Sequence, residues 1–279
     1  MNVFVTGATG YIGAVIVEKL REGGHAVTGL ARSDDARRRL ESLGVRVRSG
    51  GLEAPELLAG AAREADGVIH AGLVRGPETG AIDRRAVEAM LDALAGSGKP
   101  FVYTSGSAVM GSTGDRVAGE WFPLNPLPLV QWRPAVERLV IDAAERQVRG
   151  VVIRPVTVYG RQGGIAARWR KGEMPQAGDG ENRWNWVHVD DLADLYVLAL
   201  ERGAAGQLYL AASGTNLKVK DVCAAAGVTA RLSLAEARQQ MGPFADLLAL
   251  DQKIFSTKAG RELGWIPSRP SVLEELRSS

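Results

Sequence analysis

Apolar residues along this chain alternate between two rhythms. Short β-branched runs at Asn2 to Thr6, Ala26 to Leu30, Val45 to Arg48, Gly67 to His70, Pro100 to Thr104, Val151 to Arg154 and Gln207 to Ala211 read as strands. Between them, Tyr11 to Gly23, Asp34 to Leu43, Glu53 to Ala62, part of Thr79 to Ser97, Pro134 to Gln147 and Asp190 to Glu201 carry apolar positions three and four apart and predict helices. Each crossover helix must bury one apolar face, so the beat predicts an α/β fold, a doubly wound parallel sheet covered on both sides.

The alternation breaks twice. After Thr104 a glycine-rich loop runs into Pro123, Pro126 and Pro128, which argue against a regular element. From Gly160 onward, Gly163, Gly164, Gly172, Gly178 and Gly180 surround the run Trp184-Asn185-Trp186. Residues 163 to 187 and 213 to 279 are therefore expected to form a small discontinuous C-terminal lobe, and 1 to 162 with 188 to 212 the sheet domain.

Composition narrows the class. With 46% hydrophobic and 24% charged residues, the 279-residue chain is expected to be globular. Its 34 Lys and Arg nearly balance 32 Asp and Glu, and the nearest thing to a basic patch, Arg37 to Arg39, follows a predicted strand; no nucleic-acid partner is expected. The lone Cys223 excludes an internal disulfide, three histidines argue against a histidine-rich metal site, and no segment approaches a membrane span. A cytoplasmic setting is the expectation.

Chemistry enters at Gly7-x-x-Gly10-x-x-Gly13, set between a strand and a helix. In that context Gly7 allows the tight turn, Gly10 lets backbone approach a pyrophosphate, and Gly13 lets the helix pack on the sheet. Free N–H groups of the helix N-terminus favour the diphosphate. At the end of the second strand stands Arg32-Ser33 rather than an acidic residue. A guanidinium there forks onto a 2′-phosphate, so NADP is expected, with NADPH preferred over NADH, and Ser33 adds a hydroxyl.

Together Thr6-Gly7-Ala8-Thr9-Gly10-Tyr11-Ile12-Gly13, Val68-Ile69-His70-Ala71-Gly72, Arg154-Pro155-Val156-Thr157-Val158-Tyr159-Gly160 and His188-Val189-Asp190-Asp191-Leu192-Ala193-Asp194 resemble the extended and atypical short-chain dehydrogenases/reductases. They look most like the NAD(P)-dependent epimerase/dehydratase branch. The resemblance implies a Rossmann domain with a small substrate lobe and oxidoreductase, epimerase or dehydratase chemistry. It implies cofactor contacts from Gly7, Thr9, Gly10, Tyr11, Ile12, Gly13, Arg32, Ser33, His70, Ala71, Gly72, Arg133 and Pro155, and a possible homodimer.

That family carries a Ser or Thr after the fifth strand and Tyr-x-x-x-Lys on the next helix, where one turn puts phenol and ammonium on one face. Here Leu129 stands at the tyrosine position and Arg133 at the lysine position. Leucine moves no proton, and an arginine stays charged. Gly106 occupies the hydroxyl position, flanked by Ser105 and Ser107. Ser105, Ser107, Arg133 and Tyr159 are the catalytic candidates.

For substrate contact the candidates are Ser107, Trp132, Trp184 and Trp186, with Trp121 and Trp169 as further flat walls; they suit a small, partly aromatic or aliphatic molecule. Three readings remain. One is NADPH-dependent reduction of a small carbonyl or enone without the usual tyrosine. The others are a non-redox cyclase or isomerase in the same cleft, and a non-catalytic NADP-binding sensor or accessory protein.

Overall fold

The computed structural model describes residues 1–278. Its first half keeps the predicted beat: β1 (Asn2–Thr6), α1 (Tyr11–Glu22), β2 (Ala26–Ala31), α2 (Asp34–Ser42), β3 (Arg46–Ser49), α3 (Pro55–Glu64), β4 (Gly67–His70), α4 (Thr79–Leu94) and β5 (Pro100–Thr104). The helix starts follow local chemistry. Ser33 caps α2 by accepting the Ala36 N–H, and Pro55 opens α3 where its missing N–H loses nothing.

After the proline-rich loop come α5 (Arg133–Asp142), β6 (Arg149–Pro155), β7 (Thr157–Gly160), α6 (Gly164–Arg170), β8 (Gln176–Ala177), β9 (Arg183–His188), α7 (Val189–Arg202) and β10 (Gln207–Ala211). The chain ends with β11 (Asn216–Lys218), α8 (Val219–Ala225), β12 (Arg231–Leu232), α9 (Leu234–Met241), α10 (Phe244–Leu248), α11 (Lys258–Leu263) and α12 (Val272–Ser278). The α5 helix is shorter than its apolar pattern predicts. Its end tightens into a 3-10 turn over Ala143–Arg146, Gln147 turns left-handed at φ 56°, and Val148 donates to the Ala143 carbonyl. The chain thereby enters β6 without a longer loop.

Seven strands pair in the order β10, β6, β5, β4, β1, β2, β3, all parallel. This is a Rossmann-type doubly wound sheet. Alternate residues feed its two faces: Val3 and Val5 pack with Ile16, Leu20, Leu192 and Tyr196, while Phe4 packs with Val68, Met90, Leu94 and Phe101. Each such buried side chain contributes roughly 1.5–3 kcal/mol. Strand order reverses between β1 and β4, whose ends meet at Thr6 and His70, and a crevice opens there.

Additional C-terminal helices and strands form the substrate lobe. The expected boundary at 162 moves: β7 already pairs with β9, Thr157 beside Trp186, so the chain leaves the main sheet at Pro155. Conversely, Ala259 and Leu263 of α11 join the main core rather than the lobe. The lobe has its own centre, where Trp169 stacks on Trp184 at 5.6 Å beside Trp186 and Cys223. Burial pushes the Cys223 thiol up to about 12, which suits a packing role. Among the described residues, no helix is long and apolar enough to cross a membrane.

Candidate active site

The turn between β1 and α1 fits a dinucleotide diphosphate. Gly7 lies at φ 69°, and a Cβ there would stand 2.6 Å from the Ala71 oxygen. A Cβ on Gly13 would stand 2.0 Å from the Gly7 oxygen, so helix and turn touch backbone to backbone. Gly10 donates to the Gly7 carbonyl at 2.8 Å and is exposed, and the first turn of α1 past Gly10 presents N–H groups that no helix carbonyl can accept. Thr9, Tyr11 and Ile12 stand half-buried around this turn, and Ala71 and Gly72 form its opposite wall.

His70 does something other than expected. It is 1% exposed, its Nδ1 pairs with Thr6 Oγ1 at 2.7 Å, and its Nε2 faces Asp83 Oδ1 at 3.0 Å. Tyr103 donates to the other Asp83 oxygen at 2.8 Å, and Thr6 Oγ1 accepts the Gly72 N–H. The imidazole therefore braces the crevice wall from beneath and offers no edge to a cofactor. Burial and Asp83 hold the Tyr103 phenol well above its usual range.

At the end of β5 the two serines part. Ser105 donates to Glu137 Oε1, and Arg154 grips the same carboxylate at 2.9 and 2.5 Å. All three are buried. With its proton committed to Glu137, Ser105 is a strut, contrary to its candidacy for catalysis. Ser107 opens a 3-10 turn that aims its hydroxyl at Gln252 Oε1, 3.0 Å away, on the rim of a cleft. Arg133 donates to the Thr104 carbonyl at 2.8 Å and lies over the Trp132 ring, leaving further donors at the end of β5. Leu129 lies in a 3-10 turn before α5 and is 44% exposed, so Leu129 and Arg133 do not share a helical face.

The cleft, about 360 Å³, is lined by Tyr11, Gly106, Ser107, Pro155, Val156, Val158, Ile165 and Trp184. Phe244, Leu247, Leu250 and Gln252 close it from the C-terminal segment. The structure thus brings Ser107, Pro155 and Trp184 together as expected candidates, and adds α10 and Gln252. Nothing in the sequence marks those additions, because they approach Ser107 from about 140 residues away.

Three aromatic candidates lie elsewhere. The Tyr159 hydroxyl donates to the Pro270 carbonyl at 2.6 Å, and burial with nearby Asp191 holds its phenol above the usual range, so it is no proton donor to the cleft. Trp186 is fully buried in the lobe core because alternate strand residues share its apolar side. Trp132 packs on Gly80 at the start of α4, where a Cβ would meet its ring at 2.7 Å. Of the remaining walls, Trp169 is lobe core and Trp121 is 77% exposed.

Residues 3–212 match the NAD dependent epimerase/dehydratase family, and the chain belongs to it. This is a family of NAD(P)-dependent oxidoreductase and epimerase/dehydratase enzymes acting on small molecules. Over its whole length the chain is 32% identical to the uncharacterized protein YLL056C of Saccharomyces cerevisiae, covering 99% of it. It is 26% identical to a 4-hydroxy-2-methyl-3-oxo-4-farnesyl-3,4-dihydroquinoline-1-oxide ketoreductase of Stigmatella aurantiaca, over 79% of this chain and 70% of that one. Among solved structures it resembles the Thermus thermophilus UDP-glucose 4-epimerase complex with NAD, with TM-score 0.78, 22% identity and both chains covered completely. It also resembles the Bacillus anthracis dTDP-glucose 4,6-dehydratase in complex with NAD, with TM-score 0.81, 17% identity, and 99% and 96% of the two chains covered.

The expected NADP preference is corrected. Both of these solved relatives are complexes with NAD, not NADP, and the family itself is described as NAD dependent. The local geometry gives the reason the motif misled. Among the described residues Arg32 has no partner that orients its exposed guanidinium, and the Ser33 oxygen is taken up in capping α2. A guanidinium free to lie along the surface is not a built 2′-phosphate site.

Proposed function

We propose that the chain is an NAD-dependent oxidoreductase that interconverts a small, largely apolar ketone or enone and its reduced form, without an enzyme acid or base at the reacting carbon. The observation that carries this reading is the lining of the cleft. Among the described residues its one titratable side chain is Tyr11, whose hydroxyl donates to the Gly160 carbonyl at 2.9 Å and whose phenol burial pushes above the usual range. An isomerase or cyclase needs a group that titrates near neutrality beside the reacting atoms, and this lining offers none.

Bound NAD supplies a two-electron hydride couple. The residues then divide the work. Gly7, Gly10 and Gly13 with the start of α1 hold the diphosphate, Ala71 and Gly72 bound the crevice, and Arg133 fits the nicotinamide ribose from the end of β5. Ser107 lies beside the substrate oxygen and accepts the hydroxyl of the reduced form, Trp184, Val156 and Leu250 exclude water from the apolar side, and the proton exchanges with solvent at the mouth of the cleft. The ketoreductase relative supports the choice of reduction over epimerisation.

The test is NADH oxidation against a panel of small aryl and alkyl ketones, enones and aldehydes. Turnover is expected on ketones, and the reverse alcohol oxidation should rise with pH with no enzyme inflection between about pH 6 and 9. Tight NADH binding with no turnover across the panel would sink the proposal. So would a bell-shaped profile centred near neutrality.

A further inference from the structure

Gln252 sits on a strap that runs between β9 of the small lobe and the loop after β5. Its own N–H donates to the Arg183 carbonyl at 2.8 Å, and its carbonyl accepts Asn216 Nδ2 at 2.8 Å. On either side, Asp251 and Lys253 bond to Ser112 and Thr113 of the loop after β5. The side chain is 7% exposed and held from both ends.

Its amide can point only one way. Nε2 lies 2.9 Å from the Ser107 carbonyl and 2.8 Å from the Gly111 carbonyl, and both partners are acceptors. The nitrogen must therefore face them, which turns Oε1 toward Ser107 Oγ. An amide oxygen has no proton to give, so the Ser107 hydroxyl donates its only proton to Gln252. What remains for the cleft is the pair of lone pairs on Ser107 Oγ. Turning that hydroxyl outward would leave a buried amide oxygen without a donor.

We infer that Gln252 fixes Ser107 as a hydrogen-bond acceptor, so that the cleft selects the hydroxyl-bearing form of its substrate over the carbonyl or an ether. This deepens the proposed function and rests on it: of a ketone and alcohol pair, the alcohol is the form that the resting site reads. Gln252 acts through Ser107 and is a positioning residue; Ser107 meets the substrate.

Binding, separate from turnover, tests this. The full chain without dinucleotide is titrated with 1-phenylethanol, its methyl ether and acetophenone, read by calorimetry and by intrinsic tryptophan fluorescence, to which Trp184 in the cleft wall contributes. The alcohol should bind roughly tenfold tighter than the ether or the ketone, the worth of one net hydrogen bond. In Gln252→Ala the freed hydroxyl can donate, so the ratio moves about tenfold toward acetophenone, whereas simple loosening of the cleft lowers all three together. Gln252→Glu loses both donor bonds to the loop yet keeps an acceptor for Ser107, so its alcohol preference persists at lower overall affinity.

Equal binding of alcohol and ether by the unmodified chain overturns the inference while leaving the apolar cleft intact. Identical ratios in the Ala and Glu variants overturn it as well. Failure of all three probes to bind removes the cleft reading itself, and the selectivity with it.

Discussion

Glu137 and Arg154 are each less than 5% exposed, and among the described residues Arg154 Nη1 already lacks a partner. Removing the carboxylate would leave a buried guanidinium with nothing opposite it. Glu137→Ala is expected to lose about 3–5 kcal/mol of stability, measured by urea unfolding, because the remaining charge is stranded rather than solvated. A loss below about 1 kcal/mol would show that the pair is not buried in solution. The outer pair behaves differently. Arg161 donates to both Glu18 oxygens, at 2.6 and 2.7 Å, and to Asp190, tying α1 to α7. Its guanidinium holds the Glu18 carboxyl below the usual carboxylate value of 4.5. A lowered folded-state value means stabilisation that is complete above about pH 4.5 and fades as acid protonates the group in the fold. Exposure limits its size to about 1 kcal/mol or less. Glu18→Gln should therefore lower Tm by about 2 °C or less at pH 7, and the difference should shrink below pH 4.

At the scale of elements, the glycine turn carries the sharpest prediction. Gly13→Ala would drive a methyl into the Gly7 carbonyl, 2.0 Å away, so α1 must lift from the turn. NADH binding followed by fluorescence should weaken by at least tenfold, whereas Gly10→Ala, with 3.1 Å to the same oxygen, should lose much less. Equal losses would mean that packing of helix on turn is not the reason for the third glycine. This motif was legible because its cause is local: a strand, a turn and a helix in direct succession from Asn2 to Glu22. The strands and most helices were legible for the same reason, since the period of apolar residues is set by the face each element buries. Helix α5 was not, because its end is decided by the left-handed Gln147 and the entry into β6. Trp186 and Tyr159 were misread for a related reason: sequence shows that an aromatic ring is present, but only packing decides whether it faces a core or a cleft.

At the scale of the molecule, the sheet and lobe meet through long-range polar ties that no window of sequence displays. Asp191, at the start of α7, accepts the N–H groups of Ser268 and Arg269, and its carbonyl accepts the Trp265 indole N–H at 2.7 Å. The strap around Gln252 does the same for the loop carrying Ser107. The partition between what was read and what was missed follows sequence distance: the nucleotide half is built from neighbours, and the substrate half from strangers. That distance also has a direction in time. The chain is made from its first residue onward, at about 5–20 residues per second, and Gln252 follows Ser107 by 145 positions. For roughly ten seconds of every synthesis, then, the Ser107 hydroxyl exists without the partner that orients it. The orientation of that hydroxyl is among the last features of the cleft to be set.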